Sequence, residues 1–377
     1  MNIFKAWYRN TLVPRIVFIP FWLSWLVLSL VQLVRLVVKP SRPENKPSTL
    51  CIEAGIKGWE SIEFKELYAS ACEYLNIEQV HKIEVTPDED YFFQIKKALD
   101  ITQPTHYLYD PRTGSQHGIK GLWQSFNIAV LLCYRKITPI VLLTDLAVRT
   151  WRVQSAVVTA KTGAVVIFMS PRKIYPIFSH RRLVGPSLMP LSMNTMKFLD
   201  SLPKASTNTP SQAIFTGSLY EPRTSILQEI QAGLEQRGFT LEIKGRELGS
   251  ARISDVDYWV RLKNADLVVT TANQMEQSGT DWTWIPHFLY RYLEVISCGT
   301  LLVAPEVPGI HRFFAPNEHF VSFSSVQEAI EAIEYYLINQ EKREEIAKDG
   351  KHRAKALVEA RSFWLSIDVA LGKESLT

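Results

Sequence analysis

The chain has 377 residues, 46% hydrophobic and 21% charged, a balance that excludes collagen-like, low-complexity and extensively disordered classes and gives length enough for two cores. The net charge of +4 is unevenly spread: Lys5, Arg9, Arg15, Arg35, Lys39, Arg42 and Lys46 stand against Glu44 alone in residues 1–47, so the remainder is slightly acidic, which argues against a nucleic-acid-binding body. Four cysteines (Cys51, Cys72, Cys133 and Cys298) lack CxxC or metal-type spacing, and no Asn heads an N-x-Ser/Thr sequon; both fit reduced core thiols in a reducing compartment.

The first element is "IVFIPFWLSWLVLSLVQLV", Ile16 to Val34, which carries no charge. That is about the length needed to cross a hydrocarbon core of roughly 30 Å. Ser24, Gln32, Arg35 and Lys39 fall in one sector of a helical wheel, which suits a helix lying in the interface as well as one that spans, and Pro20 shortens any straight span. Membrane association through residues 16–38 is therefore expected, with the folded domains on the cytoplasmic side. Residues 39–48, "KPSRPENKPS", form a proline-rich polar linker.

Short apolar runs then alternate with helical patterns. Strands are predicted at Thr49–Glu53, Lys82–Val85, His106–Tyr109, Ile137–Thr144, Ala164–Met169 and Leu183–Val184, with helices such as Ile62–Tyr74 and Tyr91–Leu99 between them. After a polar break at Asp200–Gln212 the pattern restarts. Strands are predicted at Ala213–Thr216, Leu241–Ile243, Leu267–Thr270, Leu301–Ala304 and His319–Ser322, and helices at Arg223–Arg237, Val256–Asn264, His287–Ser297, Val326–Ile338 and Glu341–Ala360. Alternating apolar strands and helices predict α/β domains with parallel sheets covered on both faces. The expected division is 1–47 membrane-associated segment and linker, 48–205 first Rossmann-like domain, 206–360 second Rossmann-like domain, and 361–377 C-terminal tail or helix. Ligands in such sheets bind beyond the carboxyl ends of the strands.

Candidate chemistry sits at those ends. The first strand of the second domain ends "FTGSLYEPR": Gly217 lets a ligand approach the backbone, and Arg223 at a helix start suits a phosphate, although a tight turn with a surface Arg reads equally well. In "RYLEVISCGTLLVAP" a single carboxylate, Glu294, survives among apolar neighbours and needs a partner. That partner is either Arg291, as an i, i+3 ion pair, or a vicinal diol such as a ribose, which a carboxylate on a rigid helix can hold with two hydrogen bonds. In the first domain, Gly55 and Gly58 lie in the glycine-bearing stretch Glu53–Glu63, read as a loop after the first strand, and Asp110, Arg112 and His117 follow the third. Asp88–Asp90 and Asp255–Asp257 read as solvated turns. No G-x-S-x-G, H-E-x-x-H, P-loop or strand-linked G-x-G-x-x-G occurs, which leaves hydrolase, zinc-protease, NTPase and dinucleotide oxidoreductase readings without support.

Tyr258 to Gly350, through "RLKNADLVVTT", "YRYLEVISCGTLLVAPEVPG" and "REEIAKDGKHRA", resembles the donor domain of group-1 glycosyltransferases, especially the spore-maturation CgeB-type branch. "FTGSLYEPR" is similar to that family's opening donor-domain turn. The resemblance implies a GT-B fold, two Rossmann-like doubly wound domains facing across a cleft, and a retaining, metal-independent transferase without cofactor. It implies a nucleotide-sugar donor and a glycan, lipid or protein acceptor, as in cell-envelope polysaccharide biosynthesis. It also implies that Glu294 holds the ribose hydroxyls and that Gly217, Arg223 and Arg291 lie around the donor diphosphate, with the first-domain candidates on the acceptor side. The sequence departs from the family at Pro286, where a second glutamate is common, and at Gln228, where a lysine is common. Those departures keep open a non-catalytic glycan- or nucleotide-binding protein of the same fold.

Overall fold

The computed structural model describes residues 48–57, 61–86, 89–110, 119–143, 163–168, 182–203, 213–219, 221–246, 253–272, 288–372 and 375–377, together with Leu23, Leu26, Val27 and Leu30 of the N-terminal segment. Apart from those four exposed positions, the expected membrane segment 16–38 lies outside the described residues. Among the described residues no helix is long and apolar enough to cross a membrane.

The first unit runs β1 (Leu50–Ile56), α1 (Ile62–Tyr74), β2 (Val80–Val85), α2 (Tyr91–Thr102), β3 (His106–Tyr109), α3 (Ile119–Arg135), β4 (Thr138–Leu143), β5 (Ala164–Ile167) and β6 (Leu183–Val184). Its six strands are all parallel in the order β2-β1-β3-β4-β5-β6. Every residue of β3 is buried, as are five of the six in β4, because helices cover both faces and leave no solvated side to pattern. α2 starts where Asp90 caps it, its carboxylate accepting from Phe93 N at 3.0 Å.

The second unit opens with α4 (Met193–Ser201) and continues β7 (Ala213–Ser218), α5 (Arg223–Glu235), β8 (Leu241–Arg246), α6 (Asp255–Asn264), β9 (Leu267–Val269), α7 (Tyr290–Cys298), β10 (Leu301–Pro305), β11 (Val321–Phe323), α8 (Val326–Ile338) and α9 (Gln340–Glu359). Its five strands are parallel in the order β11-β10-β9-β7-β8, over a core that includes Phe215, Leu227, Ile230, Val269, Val303 and Ile333. Asp255 and Asp257, expected in a solvated turn, lie in the first turn of α6. Ser254 caps that helix, accepting from Asp257 N at 3.1 Å, so the carboxylates serve the helix dipole. Asp90 is likewise a cap, and Asp88 lies outside the described residues.

The chain divides between Ser187 and Leu188, ahead of the 205/206 boundary read from the polar stretch. The reason is the packing of residues 188–201 on the second unit. Tyr290 Oη donates to the Pro190 carbonyl at 3.2 Å, Lys263 Nζ donates to the Leu199 carbonyl, and Lys351 pairs with Asp200 at 2.6 Å. Residues 363–377, within the expected C-terminal tail or helix, belong to the first unit. They carry helix α10 (Ser362–Leu371), whose Trp364 is buried and donates from Nε1 to Ser70 Oγ on α1 at 3.1 Å, while the Tyr74 hydroxyl donates to Asp368. Asp368 in turn accepts from Leu376 N at 2.6 Å and Thr377 Oγ1 at 2.9 Å, which closes the final residues onto the helix.

Candidate functional site

Both sheets reverse direction once, and the reversal marks where a crevice opens at the carboxyl ends of adjacent strands. In the second unit β7 is followed outward by β8 and the chain then returns to the other side of β7 through β9, so the switch point lies between the ends of β7 and β9. Gly217 is at the end of β7 with φ of +149°, a conformation that disfavours other residues. A Cβ placed there would stand 3.3 Å from Arg291 Nη2 and 3.3 Å from the Phe215 ring. The glycine therefore makes room for the Arg291 guanidinium at the strand end.

Arg291 and Glu294 are carried by α7. The helix was expected from His287; it starts at Tyr290, with residue 287 outside the described residues, and ends at Gly299, whose φ of 73° turns the chain into β10. Arg291 thus falls in the first helical turn and Glu294 one turn later on the same face. Glu294 is 6% exposed, and Arg291 Nε lies 3.6 Å from its Oε2. That is a loose ion pair, longer than a charge-assisted hydrogen bond.

The third member of the cluster is Tyr258 on α6, which sequence reasoning did not single out. Its hydroxyl accepts from Arg291 Nη1, and its ring lies under the Arg291 guanidinium at 5.1 Å. Burial, with a further contribution from the Glu294 carboxylate and against the Arg291 charge, holds the phenol well above its usual titration range, so it stays a proton donor. Cys298, one turn beyond Glu294, is raised by burial and then by the same carboxylate, which marks it as an inert core thiol.

Arg223 joins this group from α5, held by hydrogen bonds to both strand ends. It is 8% exposed; Nε donates to Thr271 Oγ1 at 3.1 Å, Nη1 to the Ser218 carbonyl at 3.0 Å and Nη2 to the Thr271 carbonyl at 3.4 Å. The guanidinium ties the end of β7 to the segment after β9, spanning the switch point, with the Phe215 ring 5.7 Å away. Its donors fix the crevice walls, and Arg291 is the guanidinium set beside the Gly217 backbone.

In the first unit the switch point lies between β1 and β3. Strand β1 extends through Ile56, which pairs with Val85 across an irregularity after Glu53, so the stretch read as a loop from Glu53 begins as strand. Glu53 is fully buried and accepts from Tyr91 Oη at 2.8 and 3.0 Å and from Tyr107 Oη at 2.5 Å. Gly55 follows with φ of 115°, and Asp110, fully buried, stands directly after β3. Gly55 and Asp110 therefore occupy the carboxyl ends of the two strands that flank the switch. Gly58, Arg112 and His117 lie outside the described residues.

Comparison with known proteins places part of the second unit in a family context. Residues 228–362 match the family model described as glycosyl transferase-like. This stretch is a glycosyltransferase-family domain. HepE from Anabaena, solved with UDP and glucose, superposes with a TM-score of 0.56 at 12% identity, over 85% of this chain and 100% of that one. A glycosyltransferase from Rickettsia africae ESF-5 gives 0.53 at 10% identity over 87% and 100%, and sucrose-phosphate synthase from Thermosynechococcus elongatus gives 0.51 at 12% over 85% and 97%. No curated protein sequence matches the chain. At such identities the likeness establishes the fold: two parallel-sheet Rossmann-like units of the GT-B type. The glycosyltransferase domain contains Tyr258, Arg291 and Glu294, while Gly217 and Arg223 precede the matched residues.

Proposed function

We propose that the protein is a glycosyltransferase that moves a sugar from a nucleotide-sugar donor to a glycan, lipid or protein acceptor, in the manner of the CgeB-type branch of group 1. The observation that carries this reading is the Arg291–Glu294–Tyr258 cluster beside Gly217 at the switch point of the matched domain. A ribose diol suits the Glu294 carboxylate and a diphosphate suits Arg291 and the α7 amino terminus. HepE was solved with UDP and with UDP-glucose, which makes a UDP-sugar the first donor to try.

Transfer breaks the bond between the anomeric carbon and the diphosphate and forms one to an acceptor oxygen. With retention, the departing diphosphate takes the acceptor proton on the same face, so no separate protein base is required. Arg291 and backbone amides are the groups that stabilise the departing charge, and the reading includes no metal or cofactor. The test is turnover with UDP-, GDP- and ADP-sugars in the presence of excess chelator. Sugar release or transfer undiminished by chelator supports it, and an enzyme silent until a divalent ion returns sinks the metal-independent part. Failure of every nucleotide to bind sinks the whole reading and leaves the fold as a scaffold.

The apolar segment 16–38 and the basic residues around it support attachment to a membrane on the cytoplasmic side. Full-length protein is expected to float with liposomes containing anionic lipid and to stay bound in about 0.5 M salt, above which surface-charge attraction alone is screened. Protein left in the soluble fraction at both salt concentrations would overturn the membrane reading.

A further inference from the structure

The outward faces of α2 and α3 are short of charge. A helix lying on a sheet ordinarily turns polar residues to solvent, and α9 does so with Glu341, Lys342, Glu344, Glu345, Lys348 and Asp349. On α2 and α3 the outward positions include Phe93, Ile101, Trp123 and Tyr134, each between 60% and 73% exposed. The two helices cover one face of the first sheet: Ile95 and Leu99 of α2 and Ile128 and Leu132 of α3 share a core with Tyr107 and Val141, and Arg135 of α3 pairs with Asp100 of α2. The four apolar residues therefore stand on one surface, unlike scattered single side chains, which need no explanation. Trp123 and Tyr134 are eleven residues apart, three full turns, which puts them in line along α3 at about 16 Å. The Phe126 ring stacks on Trp123 at 5.7 Å, and Phe92 and Phe93 meet edge-on at 5.8 Å where α2 begins.

Charge decides between the occupants of this surface. Within α2 and α3 the cations are Lys96, Lys97, Lys120 and Arg135, and the one carboxylate is Asp100, which is held by Lys96 at 3.0 Å and by Arg135. A second copy docked through the same face about a two-fold axis would set a net-cationic surface against itself, with no surplus of acid to answer it. An anionic lipid surface meets both demands: its headgroups take the cations, and its interfacial layer takes the Trp, Tyr and Phe rings. The same unit is joined through residues 39–48 to the apolar, basic-flanked segment 16–38. Ten residues reach at most about 35 Å, so the tether keeps this unit beside whatever surface that segment enters. We propose that the α2–α3 face of the first unit lies on an anionic membrane surface, a second contact made by the folded unit itself. The proposal rests on the membrane reading. In that pose the strands of the first sheet run along the bilayer, and the ends of β1 and β3 that carry Gly55 and Asp110 open along the lipid surface rather than into it.

Photo-crosslinking reads the contact directly. Full-length protein carrying Phe93→p-benzoylphenylalanine or Trp123→p-benzoylphenylalanine is bound to vesicles of phosphatidylcholine and phosphatidylglycerol and irradiated. The expected products are lipid adducts at both positions. The same replacement at Ile338, an exposed residue of the second unit, is the control and should give none above background. Trp123→Glu combined with Tyr134→Glu should lower the lipid adduct at position 93 about tenfold. The thermal midpoint should stay within about 2 °C, because both side chains are exposed. Adducts to a second protein chain in place of lipid, labelling at 93 and 123 no greater than at Ile338, or a position-93 adduct indifferent to the two glutamates overturns the proposal. Protein that never binds the vesicles removes the membrane reading and the docking face together. Protein that binds while positions 93 and 123 stay unlabelled leaves attachment to the N-terminal segment, and only the docking face falls.

Discussion

Replacing Glu294 with alanine is expected to weaken nucleotide binding by about a hundredfold or more and to remove measurable turnover, with the fold intact. The size follows from two hydrogen bonds to an ionised acceptor, each contributing about 1.5–3 kcal/mol, lost from a site where the carboxylate is nearly buried. Stability should fall by a smaller amount, about 1–3 kcal/mol, because part of the Arg291 charge loses its acceptor. Calorimetric titration with UDP and thermal denaturation of the same variant separate the two effects. Glu294→Gln keeps an oxygen in place and removes only the charge, so it should restore much of the stability and little of the binding. A variant that binds UDP as well as the parent would reduce Glu294 to the structural partner of Arg291, the alternative that the sequence left open.

The second large effect lies far from the site in sequence. Trp364→Ala is expected to destabilise the first unit by about 3–5 kcal/mol, the range for deleting a large buried aromatic. Trp364 is 2% exposed, stacks on Tyr74 with centroids 6.1 Å apart, meets Phe363 edge-on at 5.0 Å and donates to Ser70. Its loss opens a cavity against α1 and leaves the Ser70 hydroxyl without that donor. Hydrogen exchange resolves the prediction by unit: amides of β1 and α1 should lose protection while those of β7 and β10 keep theirs. Uniform loss across both sheets, or none, would contradict the assignment of α10 to the first unit. Trp364→Phe should recover most of the protection.

Much of the architecture is legible in the residues because both sheets are buried on two faces. Runs such as "HYLY", "TPIVLL" and "LLVAP" are continuous apolar segments too short for helices, and they are bounded by turn residues. α1, β3 and α8 occupy the spans expected for them. The site was half legible for a related reason. Arg291 and Glu294 are three residues apart on one helix, a spacing that by itself puts them on one face, and Gly217 closes a strand. Tyr258 escaped because its partners come from a different helix, and "VDYWVRL" reads as an ordinary amphipathic turn. Arg223 was visible as a charge at a helix start, but its commitment to Thr271 and the Ser218 carbonyl requires the return of β9 to the other side of β7. The boundary at Ser187 escaped because polar composition marks loops, whereas it is the docking of Pro190, Leu199 and Asp200 that assigns residues 188–201 to the second unit.

The placement of α10 has a consequence for how the molecule is made. A ribosome delivers the first unit's six strands early, yet the helix that packs on α1 and supplies Trp364 and Asp368 emerges only after the whole of the second unit has been synthesised. Domains usually fold as units in the order in which they appear. Here the later-made unit has its segments first, and the earlier-made one waits with the α1 surface around Ser70 and Tyr74 uncovered until residues 362–377 emerge. A stalled or truncated chain would therefore expose apolar surface on its oldest part, where chaperones and proteases find it.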